Sequence, residues 1–424
     1  MELRQYQKQL AEHGARIARE HGFVYLAMEM RVGKTAISLA IARQLKKDGN
    51  ILFVSKKKAL PSIQADADAM EVKNITITNY EQLSKITEHP AIVVIDEAHS
   101  IGQYPKPNLR CRELRRIISS GETTVIYLSG TPTPETYSQI YFQFSVLGAV
   151  SPFSHYKNFY YWARDFVDIR EKYINGYRIK DYSGAKIDKI EKVLRQYRLT
   201  YTQQEAGFSS EIEEEIVTVE MPHTLQWLIK KIKMDGYYKF KDGTEIVADS
   251  AVKLMGKIHQ ISSGTVITET GETKILSTYK ADYIKKMYGD KKIAIYYKFI
   301  AEGEMLRQAF PDATTSPEEF NDSEERKVFI SQIQSGSMGI NLSTADILLF
   351  FNIDFSATQY YQARARLGAM DREHAQLIHW IFSDVGLEKQ VYRAVQKKKS
   401  YTVSHYRREN QRGQNRIRFA AAMY

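Results

Sequence analysis

Phe23-Val-Tyr-Leu-Ala27-Met28-Glu29-Met30-Arg31-Val32-Gly33-Lys34-Thr35-Ala36 is the stretch on which the fold turns. Its first five residues are apolar and β-prone, and a helical run from Ala36 to Lys47 follows the Gly-Lys-Thr turn. Strand, glycine turn and helix in that order make a P-loop, whose backbone N–H groups and helix N-terminus can cradle phosphate. Met30, Arg31, Val32, Gly33, Lys34, Thr35 and Ala36 would line it. Lys34 would reach the β- and γ-phosphates, and the Thr35 hydroxyl would ligate Mg²⁺. Two positions depart from the common pattern: Met28 stands in the slot of the first glycine, and Arg31 stands where many related loops have glycine. A bare Gly-Lys-Thr also arises by chance, so its surroundings decide.

Downstream, Ile92-Val-Val-Ile-Asp96-Glu97-Ala98-His99 is an apolar strand that ends in two carboxylates. Asp96 can hold Mg²⁺ there while Glu97 polarises an attacking water. A helix-capping aspartate explains Asp96 alone, but not the whole motif. Leu128-Ser129-Gly130-Thr131-Pro132 again follows an apolar strand and suits a hinge that senses phosphate state. Further apolar runs, Ile51 to Val54 and Ile75 to Ile77, alternate with amphipathic stretches, as in a parallel sheet covered on both sides. A second series follows with Ile293 to Tyr297, Val328 to Ile330 and Ile347 to Phe351. Between the two series the chain is rich in Tyr, Lys and Arg with a helical period. The expected fold class is α/β: domain 1 over 1–150, a helical insertion over 151–212, domain 2 over 213–400 and a basic tail over 401–424.

The 424 residues exceed one ordinary domain, and 60 Lys plus Arg against 50 Asp plus Glu give a net charge of +10. A single cysteine, Cys111, excludes a disulfide scaffold and a multi-cysteine zinc site. The polar start lacks the apolar core of a signal peptide, and the apolar runs are too short to span a bilayer. These features predict a soluble protein of a reducing, cytoplasmic compartment.

With the three motifs in order, the chain resembles superfamily 2 helicases and translocases, most closely the SNF2-like branch. The resemblance implies two RecA-like P-loop NTPase domains with ATP and Mg²⁺ between them. Leu3-Arg4-Gln5-Tyr6-Gln7 looks like the family's adenine-recognition segment, with Arg4 and Gln7 at the base. Lys56, Lys57 and Lys58 occupy the place of motif Ia, and Asn79 and Tyr80 match a strand exit that lines the nucleic-acid path in relatives. Ser335, Gly336 and Gly339 fall in a stretch like motif V. Gln362-Ala-Arg364-Ala-Arg366 resembles motif VI, in which Gln362 couples nucleotide to nucleic acid and arginines act as fingers in trans. Arg366 matches the first finger, whereas the second falls on Ala369, with Arg372 a step beyond and Arg364 the other candidate. His99, Ser129, Gly130 and Thr131 would couple nucleotide state to the hinge. The form of the P-loop is similar to that of phage-encoded DEAH-box members.

These features predict a DNA-stimulated ATPase moving on duplex, forked or branched DNA, a monomeric core serving recombination, repair or replication alongside proteins of those processes. An RNA helicase and an ATP-gated nucleic-acid clamp with weak hydrolysis are the alternatives. The excess charge falls at Lys56, Lys57 and Lys58, at Lys186, Lys189, Lys192, Arg195 and Arg198, and from Lys397 and Lys398 into the tail. The insertion's aromatics, Phe153 to Trp162, fit helix core better than base stacking.

Overall fold

The computed structural model describes residues 2–45, 49–118, 123–134, 136–174, 177–207, 212–323, 326–336, 342, 344–356, 359, 360, 363 and 376–397. The chain divides into two compact units, Met1–Phe208 and Ser209–Tyr424.

The strands of the first unit are β1 (Phe23–Leu26), β2 (Ile51–Ser55), β3 (Ile75–Asn79), β4 (Ile92–Ile95), β5 (Thr124–Leu128), β6 (Arg170–Ile174), β7 (Tyr177–Asp181) and β8 (Arg198–Leu199). Six of them form one sheet in the order β3-β2-β4-β5-β1-β8, parallel at every pairing. Every residue of β1, β2 and β4 is buried. A strand hidden on both faces has no solvent side for polar residues, so its sequence is apolar throughout rather than alternating. Helix α1 (Gln5–His21) buries Ala11, Gly14, Ala15, Ile17 and Ala18, a stripe of helical spacing that packs on β1 and on α2 (Lys34–Leu45).

The helical insertion expected over 151–212 is not a body of its own: residues 151–207 are built into the first unit. Phe153, Phe159, Trp162, Ala163, Phe166, Ile190 and Leu194 lie in the same buried core as Phe23, Tyr25, Tyr127 and Phe144. The physical reason is the helix Phe159–Phe166, whose eight residues bury Phe159, Trp162, Ala163 and Phe166 on one face. Two turns of helix cannot hide that much aromatic surface alone. Tyr160 and Tyr161, on the other face, stay exposed. The segment is also not wholly helical. β6 and β7 pair as an antiparallel hairpin, and β8 returns to pair with β1. Of the basic stripe, Lys186, Lys189, Lys192 and Arg195 are exposed, while Arg198 is drawn into a two-pronged ion pair with Glu191.

The second unit contains β9 (Ile212–Val219), the hairpins β10 (Tyr237–Lys239) with β11 (Glu245–Val247) and β12 (Thr265–Ile267) with β13 (Thr273–Ile275), then β14 (Ile293–Tyr297), β15 (Val328–Gln332), β16 (Ile347–Phe350) and β17 (Gln376–Ser383). Its main sheet runs β15-β14-β16-β17-β9, again parallel throughout. The closing helix Glu388–Gln396 is anchored by a fully buried ion pair, Lys280 Nζ to Glu388 Oε1 at 2.8 Å, and Ser383 Oγ donates to the other carboxylate oxygen. Two α/β units with parallel sheets are thus the expected fold class. Among the described residues no helix is long and apolar enough to cross a membrane. The expected basic tail, 401–424, lies outside the described residues.

Because Trp162 sits at 0% exposure inside the first core, Trp162→Ala should cost about 3–5 kcal/mol. Trp162→Phe should cost much less, since the ring fills most of the site and the indole N–H has no hydrogen-bond partner to lose. Urea unfolding of the two variants checks this, with loss in the transition of the first unit expected.

Candidate active site

Three neighbouring strands, β4, β5 and β1, each deliver one motif at the C-terminal edge of the first sheet. That edge is where open parallel sheets form their ligand crevice. After β1 the P-loop is held by its carbonyls. Met28 O and Glu29 O accept from Lys34 Nζ at 3.1 and 2.9 Å. Met30 O accepts from Gln203 Nε2 at 2.9 Å, and Val32 O accepts from the Tyr6 hydroxyl at 3.2 Å and Gln7 Nε2 at 3.4 Å. In a trans peptide the C=O and the following N–H point opposite ways. The N–H groups of Met30, Arg31 and Gly33 therefore face away from these partners, as a phosphate cradle requires. α2 opens at Lys34, with Thr35 half-buried and Ala36 buried beside it.

Arg31 and Gly33 both lie in the left-handed region, at φ 67° and 84°. Arg31 thus adopts the conformation for which related loops use glycine. At Gly33 a Cβ would stand 2.1 Å from Gln7 Nε2, so a side chain there would displace Gln7 as well as strain the left-handed backbone. Gln7, expected at the base, rests against the P-loop glycine, and its Oε1 accepts the Arg4 N–H at 3.0 Å. Arg4 itself is exposed.

After β4, the Asp96 carboxylate accepts from Ser55 Oγ at 2.6 Å and from the Glu97 N–H at 2.9 Å, while its carbonyl accepts from the Tyr80 hydroxyl. Burial, and then the charge of Glu97, push the Asp96 carboxyl up to about 6, against the pull of Ser55 and Lys34. A hard cation fits here: a buried carboxylate disfavoured by its neighbour and the Thr35 hydroxyl are oxygen donors of the type Mg²⁺ takes, alongside phosphate oxygens. Among the described residues no cluster of three or more His, Cys, Asp or Glu could hold a metal unaided.

After β5, Ser129 Oγ lies 3.1 Å from His99 Nδ1 and accepts the Thr131 N–H at 3.1 Å. His99 Nδ1 is also 3.3 Å from Glu97 Oε2. Burial, and then the nearby Lys56 charge, lower the imidazole to about 4. It is therefore neutral at pH 7, and its contact with Glu97 is not an ion pair. Gly130 abuts the P-loop, since a Cβ there would lie 3.2 Å from Met30 Cγ. Of the residues expected to couple, His99, Ser129, Gly130 and Thr131 thus lie together, while Gln362 lies outside the described residues.

The expected nucleic-acid residues fare differently. Lys57 and Lys58 are exposed on the 3-10 turn Lys57–Ala59, whereas Lys56 is half-buried near His99. Asn79 and Tyr80 are spent inside the unit. Asn79 accepts the Glu81 N–H at 3.0 Å and caps the next turn, and buried Tyr80 supports the Asp96 carbonyl under a covering Arg110 guanidinium. A strand end that must turn at once recruits its polar residues for capping. In the second unit Ser335 and Gly336 lie on the short helix Ile333–Gly336 after β15, and Lys397 is exposed at the end of the closing helix. Gly339, Gln362, Arg364, Arg366, Ala369, Arg372 and Lys398 lie outside the described residues.

Sequence reasoning missed Ser55 as an Asp96 partner and missed Tyr201 and Gln203, which come to the P-loop from about 170 positions away. It also missed a buried pair at the strand ends of the second sheet, Lys298 Nζ to Asp354 Oδ1 at 3.0 Å. No local signal marks any of these.

No family model matches the chain. It is 22% identical, over 426 aligned positions, to the SWI/SNF-related matrix-associated actin-dependent regulator of chromatin subfamily A-like protein 1 of Xenopus tropicalis, covering 90% of this chain and 43% of that one. The protein of the same name from Xenopus laevis is 21% identical, with 90% and 42% covered. The chain thus spans under half the length of these curated relatives. Among solved structures it is similar to the Sulfolobus solfataricus SWI2/SNF2 ATPase core in complex with dsDNA, at TM-score 0.42 and 16% identity over 93% of this chain and 91% of that one. The SWI2/SNF2 ATPase core domain of the same organism gives TM-score 0.43 and 15% identity, covering 94% and 89%.

Gly33→Ala should weaken nucleotide binding at least tenfold, by displacing Gln7 and by straining a left-handed residue at roughly 1–2 kcal/mol. Titration with a fluorescent ATP analogue, beside a circular dichroism check of folding, measures it.

Proposed function

We propose that this chain is a DNA-stimulated ATPase that translocates on double-stranded or branched DNA. The observation that carries the reading is the single sheet edge on which Lys34, Asp96 with Glu97, and the His99–Ser129 contact stand at the ends of three adjacent strands. The sequence similarity to SWI/SNF-related proteins over 90% of the chain supports it.

In this reading Lys34 leaves the Met28 and Glu29 carbonyls and takes the β- and γ-phosphates of ATP, while the outward N–H groups of the loop bind the phosphate oxygens. Thr35 and Asp96 would hold Mg²⁺, which would supply charge neutralisation at the phosphates. Glu97, beside Asp96 and in contact with neutral His99, orients the attacking water. A change at Glu97 passes through His99 to Ser129 and the Gly130 turn, which already touches Met30. Arg366, with Arg372 or Arg364, would be the arginine finger on the resemblance of this stretch to motif VI. Exposed Lys57 and Lys58, and the stripe of Lys186, Lys189, Lys192 and Arg195, contribute salt-sensitive contacts to DNA phosphates. The reading extends to a role in recombination, repair or replication, in the cytoplasm of a host cell if the gene is viral, on the resemblance of the P-loop to that of phage-encoded members.

Turnover of ATP should rise with duplex or forked DNA, fall as salt rises, and disappear in Lys34→Ala and Glu97→Gln. Stimulation by RNA alone would move the assignment to an RNA helicase. Binding to forked DNA without turnover would make the chain an ATP-gated clamp, as the Ala369 substitution in motif VI favours. No binding of ATP or nucleic acid would end the reading.

A further inference from the structure

The P-loop is braced by a segment that the proposed chemistry does not use. β8 runs parallel beside β1, and the chain beyond it stays alongside the loop: the Ala27 N–H donates to Leu199 O at 2.9 Å, and the Glu29 N–H donates to Tyr201 O at 2.9 Å. Gln203 then holds the loop twice. Its N–H donates to Glu29 Oε2 at 2.8 Å, and its side-chain amide donates to Met30 O at 2.9 Å. Glu29 is thus fixed by its N–H and its side chain, while its carbonyl carries Lys34. The brace is itself stiffened: Thr202 and Glu205 bond each other reciprocally, and the Tyr201 hydroxyl donates to Glu205 O at 3.0 Å.

The same segment reaches the other side of the loop. The Tyr201 ring stacks on Tyr6 with centroids 5.1 Å apart and planes 11° from parallel. Tyr6 is the neighbour of Gln7, and both bond Val32 O. One short stretch therefore fixes Glu29 and Met30 at the start of the P-loop and, through Tyr6, the turn that carries Gln7.

We infer that Gln203 and Tyr201 are positioning residues for the nucleotide, Gln203 setting the phosphate loop and Tyr201 setting the base-side turn at Tyr6 and Gln7. The inference rests on the nucleotide reading above and names a part of the site that lies about 170 residues from the P-loop in sequence. It separates two effects. Loss of the Gln203 amide frees Met30 O and loosens the peptide next to left-handed Arg31, which should weaken phosphate binding. Loss of the Tyr201 ring leaves the phosphate loop intact but frees Tyr6, which should blunt discrimination between bases.

The test is steady-state turnover of ATP and GTP with duplex DNA, by the whole chain, for wild type, Gln203→Ala, Tyr201→Ala and Tyr201→Phe. Thermal melting and nucleotide-free DNA binding are measured on each. Gln203→Ala should raise KM for ATP about tenfold, the worth of one well-placed, part-buried hydrogen bond, with kcat within about twofold. Tyr201→Ala should lower the ATP-over-GTP preference about threefold to tenfold, and Tyr201→Phe, which keeps the stack, should restore it. Melting and nucleotide-free DNA binding should stay near wild type. Wild-type turnover with KM and base preference unchanged in the variants overturns the inference alone. So does a loss of KM, kcat and melting temperature together that Tyr201→Phe does not rescue. Absence of nucleotide binding by wild type overturns the function reading, and this inference with it.

Discussion

A loop that grips phosphate with its backbone must turn its amides outward, and so its carbonyls need partners elsewhere. That constraint organises the first unit. Met28, Glu29, Met30 and Val32 each give their carbonyl to a side chain, and the four donors, Lys34, Gln203, Tyr6 and Gln7, come from α2, the end of the unit and α1. The sheet order serves the same end. β1 lies between β5, which brings Gly130 against Met30, and β8, which brings Tyr201 and Gln203. A short strand of two residues is enough for β8, because its task is to set register rather than to bury surface.

The carboxylate motif obeys the opposite constraint. Asp96 is buried, and its charge is costly beside Glu97, yet Ser55, the Glu97 N–H and Lys34 favour the ionised form. The balance leaves a carboxyl that titrates at about 6, mostly ionised at pH 7, and a cation would hold it fully in the anionic form. His99 stands at the joint: kept neutral by burial, it can share its Nδ1 between Glu97 and Ser129 without carrying charge between them.

Much of this was legible in sequence, for stated reasons. Parallel strands buried on both faces are apolar runs, so β1, β2, β4, β5, β14 and β16 were visible, and motifs at strand ends are local by nature. The Gly33, Asp96, Glu97 and His99 placements follow from that. The misreadings are as instructive. Arg170-Glu-Lys-Tyr-Ile and Tyr177-Arg-Ile-Lys-Asp flank Asn175-Gly176, a strong hairpin signal that the helical period of the surrounding residues masked. Asn79 and Tyr80 were read by their place in a motif, and the structure adds a local task for each: Asn79 caps the turn after β3 and Tyr80 supports the Asp96 carbonyl. Gln203 and Tyr201 carry no sequence signal, because a polar loop residue acquires a partner about 170 positions away only when β8 pairs with β1.

The resting place of Lys34 gives the site its logic. The ammonium makes two hydrogen bonds to neutral carbonyls, and a phosphate offers charged acceptors, so the exchange favours the ligand by the difference between charge-assisted and neutral bonds. Yet one of the carbonyls it leaves belongs to Glu29, which Tyr201 and Gln203 hold, and it cannot follow the lysine without breaking those bonds. A loop pinned in this way keeps its amides aimed while its lysine moves. The free energy of phosphate binding is then spent on the lysine and on the Asp96–Glu97–His99 side of the crevice, where a neutral imidazole and a poised carboxyl can rearrange, rather than on re-forming the cradle.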